Sequence, residues 1–537
     1  MFTQHGLEYA VHIIKSHFGD LVSKACKCLL QKGPLTLQAL AQRTQLPRDQ
    51  LKKCLLVLIQ HNCVQAFIPE SEETSDLQRN FVQYIAIFDN ILHRSRFSKF
   101  LQIAAEQLDG QCEELLKGLL QHGRLTLESV IARAVSQKNE GNSESQDAHR
   151  ANFVRLIHAR FVERCPTAQP VLQPVPESAL NKRRGAKLSI KQDLPYAFKF
   201  AGELLTIEKR AILAAAPSHS ERFSVIVDIG SDIDVKSNQR CSSATTGEKR
   251  KYEALEMDNE TMAAICEKEV LWRANFEEFV RCLRHKACVA NVRSKLDVKT
   301  GTVLEAILEA TRSSEEKVKE ETSVPLSMDT ILQEVRGRPE GLEMTLEHVR
   351  AALNQLGCVP SLAGTEGLYS IDLKNIIANA QNEEVEAVVL NRYGREAYRI
   401  FRLLAKDSRL LETNQISDTT LVDKKEASEL LFRLWKDGFL DMERMSSTLP
   451  KQATIFLWKV KKDSLWEHVV DTMYHAALNV SQRMDFEREQ EQELRQIQPD
   501  LMTEALKKRY NRLRRVMLIL ESSLLKLDDA FMLFNDF

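Results

Sequence analysis

The 537-residue chain is poor in what a catalyst, a metalloprotein or a membrane protein needs. It has no Gly-rich phosphate loop, no Gly-x-Ser-x-Gly turn, no His-Glu-x-x-His pair and no paired CxxC. Its thirteen His are scattered. The acidic run 228-DIGSDID-234 lacks the ligand spacing and the following Glu of a calcium loop. The eleven Cys are odd in number, and most sit inside apolar runs (Cys54, Cys63, Cys282, Cys288, Cys358), as buried free thiols do in a reducing compartment. The one close pair, Cys26 and Cys28, has no second pair at zinc spacing. The longest apolar runs, such as 54-CLLVLI-59, fall far short of the ~20 residues that span a bilayer. The first twenty residues lack the basic, apolar and small-residue sections of a secretory signal and are expected to form the first helix. Basic and acidic residues number 74 and 75, so no global positive field draws the chain to nucleic acid, and any such contact must be local. No cofactor, metal or membrane association is expected.

What the chain does have is a phrase used twice. Residues 29–37, LLQKGPLTL, recur ninety positions later as 119–127, LLQHGRLTL. In the first copy, Leu21, Val22, Ala25, Leu29 and Leu30 are spaced as one face of a helix, which Gly33-Pro34 ends. Thr36 can cap a short helix over 37–44, and Pro47 opens another over 48–60 with Leu51, Cys54, Leu55 and Leu58 on one face. Residues 63–68, CVQAFI, then predict a strand. Helix, short strand, helix, turn, helix, strand is the order of a winged helix-turn-helix. The second copy follows the same course, with a polar insertion over 137–147 expected to be a loop. Weaker echoes open at Pro325 and at Ile416, the third with a wing hairpin over 358–373 and the fourth with strands 439–445 and 453–460. The chain therefore divides into winged helices over 1–90 and 91–166, a Pro-rich, basic, partly disordered linker over 167–260, winged helices over 261–378 and 379–462, and a C-terminal hairpin over 463–537. The fold class is mainly α with small β wings. A helical segment is expected over 269–292 and an extended tether over 166–178.

In the last segment Leu506, Tyr510, Leu513, Met517, Leu520, Leu524, Leu527, Phe531 and Phe534 alternate in steps of four and three, a heptad seam. Trp466, Val469, Met473, Ala476 and Val480 keep the same rhythm, and Pro499 between the stripes predicts an antiparallel helical hairpin.

The tandem winged helices, the phrases 151-ANFVRLIHARFVERCP-166 and 272-WRANFEEFVRCLRHKACV-289, the basic linker and the terminal coiled coil together resemble the winged-helix third-largest subunit specific to RNA polymerase III, a family similar to the alpha subunit of transcription factor IIE. The resemblance implies a non-catalytic, nuclear subunit. It implies a detachable trimer with two other polymerase III-specific subunits on the clamp of the largest subunit, and contact with the TFIIB-related initiation factor. That trimer would support promoter-directed initiation and DNA opening.

The residues set limits on this. Arg48, Lys52 and Lys53 on the polar face of helix 48–60, and Lys182, Arg183, Arg184 and Lys187 in the linker, are candidate DNA contacts. They suit weak, sequence-independent binding, because few Asn, Gln or Arg side chains are placed to read base edges. Leu513, Met517, Leu520, Leu524 and Leu527 are candidate partner-binding residues of the seam. A free-standing winged-helix DNA-binding regulator is the alternative, and the near-zero net charge speaks against it.

Overall fold

The computed structural model describes residues 3–69, 81–138, 143–172, 206–224, 270–315, 318–358, 367–407, 409–445, 455–496 and 503–537. These fall into two compact units, one of Cys28–His93 and Phe97–Phe276, the other of Met1–Lys27, Arg94–Arg96 and Glu277–Phe537. Each is described by itself.

After α1 (Gln4–Phe18), the first module runs α2 (Asp20–Lys32), β1 (Leu35–Thr36), α3 (Leu37–Thr44), α4 (Arg48–Gln60), β2 (Val64–Pro69) and β3 (Gln83–Ala86). The punctuation is local. Gly33, at φ 76°, sends its N–H back to the Leu29 carbonyl and ends α2. Thr36 accepts the Ala39 N–H at 3.3 Å and caps α3. Asn62, at φ 60°, turns the chain from α4 into β2. The wing is an antiparallel hairpin, β2 on β3, with β1 on the other edge of β3. Strand β3 follows a gap in the described residues and carries no alternation strong enough to announce it.

The second module follows α5 (Phe88–His93) and α6 (Phe97–Gln107). It comprises α7 (Gly110–His122), β4 (Leu125–Thr126), α8 (Leu127–Lys138), α9 (Ser143–His158) and β5 (Val162–Arg164). The insertion over 137–147, expected to be a loop, is helical where it is described: α8 reaches Lys138 and α9 begins at Ser143, consistent with the helix-forming Gln and Glu in that stretch. The Pro-rich tether is not free at its start. Val171–Leu172 forms β6, parallel to β2, and Gln65 donates its side-chain amide to the carbonyls of Thr167 at 3.0 Å and Ala168 at 3.3 Å. Helix α10 (Ile207–Ala215) follows and buries Ala211 against Phe67, Ile85 and Leu172, before the short α11 (His219–Arg222). An edge strand tolerates the prolines that suggested a linker.

The expected helix over 269–292 starts late. Leu271–Ala274 is a strand, β7, lying between β4 and β5 and completing the second wing, and the helix begins at Phe276. Trp272 and Ala274 are buried while Leu271 is exposed, a period of two that a continuous helix would not give. Trp272 meets the Phe153 ring edge-on at 5.6 Å.

The other unit holds α12 (Phe276–Lys295) from Glu277 onward, then α13 (Val298–Thr311), β8 (Leu326–Ser327), α14 (Met328–Arg336), α15 (Leu346–Gln355) and β9 (Leu368–Tyr369). Val303, Leu304, Ile307, Ile331, Val335, Val349 and Leu353 form its core. The wing is the two-stranded β8–β9 pair; most of the expected first wing strand lies outside the described residues. Next come α16 (Leu373–Tyr393), α17 (Arg395–Lys406), β10 (Leu411–Glu412), α18 (Thr413–Thr420), α19 (Lys424–Lys436), β11 (Asp441–Met445) and β12 (Ile455–Lys459), with β12 central in the sheet. Fully buried Trp458 donates its indole N–H to Thr413 at 2.9 Å.

The chain ends in α20 (Lys462–Arg495) and α21 (Glu504–Asn535). Trp466 meets Phe534 at 6.2 Å, Tyr474 meets Phe531 at 5.0 Å, and Arg509 donates to Gln490 at 2.6 Å, so the pair is antiparallel. Helix α1 joins it as a third member. Asp471 accepts the His5 backbone N–H at 2.9 Å and lies 2.7 Å from His5 Nδ1, and Tyr9 lies edge-on to Phe531 at 6.4 Å.

Candidate functional site

The third helix of each winged-helix module is the element that faces DNA in DNA-reading members of this architecture. In the first module, α4 exposes Arg48, Lys52 and Lys53 opposite buried Leu51, Cys54, Leu55 and Leu58. Lys52 Nζ is 3.6 Å from Asp49, which offsets part of that charge. Leu56, two-thirds exposed at 66%, sits within this cationic face.

In the second module the cations are engaged. Arg155 is ion-paired with Asp109 and donates to Asn152 at 3.1 Å. Asp109 caps α7 by accepting the Cys112 N–H at 2.8 Å; that bond first, with Arg155 adding to it, holds its carboxyl down at about 2. Arg160 adopts φ 61° and lies over the Phe223 ring at 5.8 Å. The third module offers exposed Arg350. In the fourth, exposed Lys424, Lys425 and Lys436 alternate with Glu426 and Glu429, and Arg433 lies over Tyr393 at 5.3 Å. The same helix and the turn before it expose Trp435 and Leu421. An exposed Trp on a third helix suits a protein surface better than a base edge. Lys182, Arg183, Arg184 and Lys187 lie outside the described residues.

In the hairpin, Leu513 and Met517 are buried and Leu520, Leu524 and Leu527 half-buried. The structure thus brings the seam residues together on one stripe of α21. Two further features gave no sequence signal. Buried Arg124 joins the first two modules by donating to Asn62 Oδ1 at 2.9 Å. A buried charged network in the third module links Glu278 to Arg281 and Arg312, each at 2.5 Å, with Glu315 3.4 Å from Arg281. Glu278 and Arg281 are an i,i+3 pair on one helix, but Arg312 and Glu315 reach them from beyond the end of the next one, a relation that linear spacing does not display. Burial pushes the thiols of Cys282 up to about 12 and of Cys288 up to about 11, so both stay neutral. Among the described residues no group of His, Cys, Asp and Glu is arranged to hold a metal, and no helix is long and apolar enough to cross a membrane.

Fold and surfaces together define a class: a tandem winged-helix scaffold closed by a helical hairpin, with cations thinly spread over its third helices. Comparison with known proteins narrows this class. Residues 8–68 match the RNA polymerase III subunit RPC82 helix-turn-helix domain, residues 151–380 match RNA polymerase III subunit RPC82, and residues 385–460 match the POLR3C C-terminal winged-helix domain. The chain is 26% identical over 509 residues to DNA-directed RNA polymerase III subunit RPC3 of Bos taurus, covering 92% of this chain and 86% of that protein. It is 26% identical over 496 residues to the subunit of the same name in Danio rerio, with 90% and 84% covered, and 23% identical to that of Dictyostelium discoideum, with 97% and 98% covered. The chain belongs to the RNA polymerase III subunit RPC82 family, a non-catalytic subunit of that polymerase.

Proposed function

We propose that this protein works in the nucleus within a three-subunit subcomplex of RNA polymerase III that supports promoter-directed initiation and DNA opening for small untranslated RNAs. Its neighbours in this reading are two further polymerase III-specific subunits, the clamp of the largest subunit and the TFIIB-related initiation factor. Its DNA contacts are weak and sequence-independent, through Arg48, Lys52 and Lys53 and through Lys182, Arg183, Arg184 and Lys187 of the linker. Leu513, Met517, Leu520, Leu524 and Leu527 serve partner binding by shaping the hairpin. The observation that supports this reading best is the state of the third helices. Arg155 and Arg433, though exposed, are engaged by Asp109 and by the Tyr393 ring, and α19 and the turn before it expose Trp435 and Leu421, so the modules are built to pack on protein with backbone contacts added.

The test is affinity purification of the tagged full chain from nuclei, with the co-purifying proteins identified, beside duplex-binding isotherms of the isolated chain. The reading expects the polymerase and two specific subunits in the eluate, and weak duplex binding without sequence choice. Tight, site-selective binding by the isolated chain, with no polymerase recovered, would make it a free-standing regulator instead.

A further inference from the structure

Helix α21 carries a second rail. On the face opposite the seam stand Lys508, Arg512, Arg515, Ile519, Ser522 and Lys526, again in steps of four and three, with Leu518 beside Ile519. All seven side chains are exposed, Leu518 to 65% and Ile519 to 64%. The rail spans about five turns, roughly 27 Å. It carries no carboxylate of its own. No acidic group of the described residues pairs with Lys508, Arg512, Arg515 or Lys526. At the far end of α20, Asp485 pairs with Arg488 and Glu491 with Arg495 at 2.7 Å each and Glu487 with Arg483, while the exposed Glu489 and Glu493 pair with none of the four cations of the rail. The hairpin therefore presents an unneutralised cationic strip with an aliphatic pair inside it.

We propose that this outward face of α21 docks an acidic amphipathic helix of a partner protein. The partner's aliphatic side chains sit on Leu518 and Ile519, and its carboxylates face Lys508, Arg512, Arg515 and Lys526. The proposal goes beyond the function proposed above and does not depend on it. Charge complementarity fixes the sign of the partner. Heptad spacing fixes its form, because a helix laid along the rail meets a side chain at each step. A nucleic-acid strand would use the cations but has no use for two adjacent aliphatic side chains at the middle of the contact. A bilayer would need a broad apolar face, whereas this helix spends its main apolar stripe inside the hairpin.

The test uses the isolated full chain and a fluorescent synthetic helix of about 20 residues, long enough to cover the rail. Glu occupies the positions facing the four cations and Leu those facing the aliphatic pair. A second peptide with Lys in place of Glu is the control. Saturable binding of the acidic peptide is expected by anisotropy. Both Arg512→Glu/Arg515→Glu and Leu518→Ser/Ile519→Ser should weaken it about tenfold or more. These positions are exposed, so circular dichroism and Tm should stay unchanged. The proposal is overturned if the acidic peptide does not saturate, if the lysine peptide binds equally, or if either double variant keeps full affinity. It is also overturned if the charge-reversed chain loses binding to plain duplex DNA or to phosphatidylserine vesicles while still holding the peptide, since the cations would then serve phosphate.

Discussion

Arg96 and Asp528, 432 positions apart in sequence, are joined by a buried ion pair with Nε 2.7 Å from Oδ1. The guanidinium is wholly buried and also meets Asp536 at 2.8 Å and the face of Phe531 at 5.6 Å. Burial alone would lower the Arg96 pKa, but the two carboxylates outweigh it and hold the group firmly charged. Replacing only the cation strands two carboxylates out of water. Arg96→Met should cost about 3–5 kcal/mol and loosen the hairpin, read as lost hydrogen-exchange protection in α1 and α21. Arg96→Met with Asp528→Leu and Asp536→Leu should recover most of that loss, since no charge then remains buried. A triple variant no better than the single would show that the ion pair itself, rather than its desolvation balance, holds these elements.

The twice-used phrase gives a matched pair of glycines in different surroundings. Gly33 and Gly123 both adopt positive φ, 76° and 79°, where a Cβ is strained. A Cβ at Gly33 would meet nothing within 4 Å, whereas one at Gly123 would lie 2.0 Å from the Gln60 carbonyl oxygen. Gln60 also accepts the Arg124 N–H there at 3.0 Å. Gly33→Ala should cost about 1–2 kcal/mol, the backbone term alone. Gly123→Ala should cost clearly more and part the first two modules locally. Chemical denaturation of both variants checks the ranking, and equal losses would rule out the close approach as its cause.

That contrast shows where the sequence was legible. Periodicity, Gly33, Thr36 and Pro47 mark the helices of the first module because each acts within its own turn. The hairpin seam was legible for the same reason: Leu513 and Met517 repeat at the spacing that buries them. Strand β7 was not, because Trp272 pairs with Leu125 and Arg164 from more than a hundred residues away, and nothing local to 269–275 separates a four-residue strand from the start of the helix after it. Arg96 has the same difficulty, since an arginine outside any amphipathic pattern reads as surface until Asp528 and Asp536 are placed around it. The candidate DNA residues of α4 were legible as a polar face, but the commitment of Arg155 to Asp109 was not.

Glu208 gives a pH dependence. Its carboxyl is pushed up to about 7, first by burial and then by Asp89; the Phe88 N–H, 3.1 Å away, pulls it only part of the way back. In the unfolded chain it titrates near 4.5. The folded state therefore binds this proton more tightly, and the stabilisation is full below pH 4.5 and lost as pH rises through about 7. Glu208→Gln should hold α10 on its sheet more firmly than the wild type at pH 8, by roughly 1–2 kcal/mol. Hydrogen exchange across 206–216 at pH 6 and pH 8 measures this. A wild-type chain whose α10 protection does not fall between those values would remove Glu208 as the cause.

Lys52→Ala with Lys53→Ala should weaken binding to plain duplex uniformly across sequences and reduce the slope of log K against log salt by roughly 2. Both side chains are exposed on α4, so the fold should be unaffected. An unchanged slope would place the DNA contact elsewhere, the basic linker being the first alternative.

The two faces of α21 predict opposite outcomes for one chemical change. Leu513 is buried against α20, so Leu513→Asp puts a charge into the apolar seam and should cost several kcal/mol, separating the hairpin helices. Leu518→Asp, five residues on and two-thirds exposed, should leave stability within about 0.5 kcal/mol of the wild type. Leu513→Asp should therefore open helices α20 and α21 themselves to limited proteolysis and abolish co-purification with the polymerase, because the partner surface loses its scaffold. Leu518→Asp should keep the protease-resistant hairpin, so that any loss of partner with this variant belongs to the outer rail and not to unfolding. If Leu513→Asp stays as resistant as the wild type, the seam does not hold the hairpin together, and both the antiparallel packing and the rail it presents have to be abandoned.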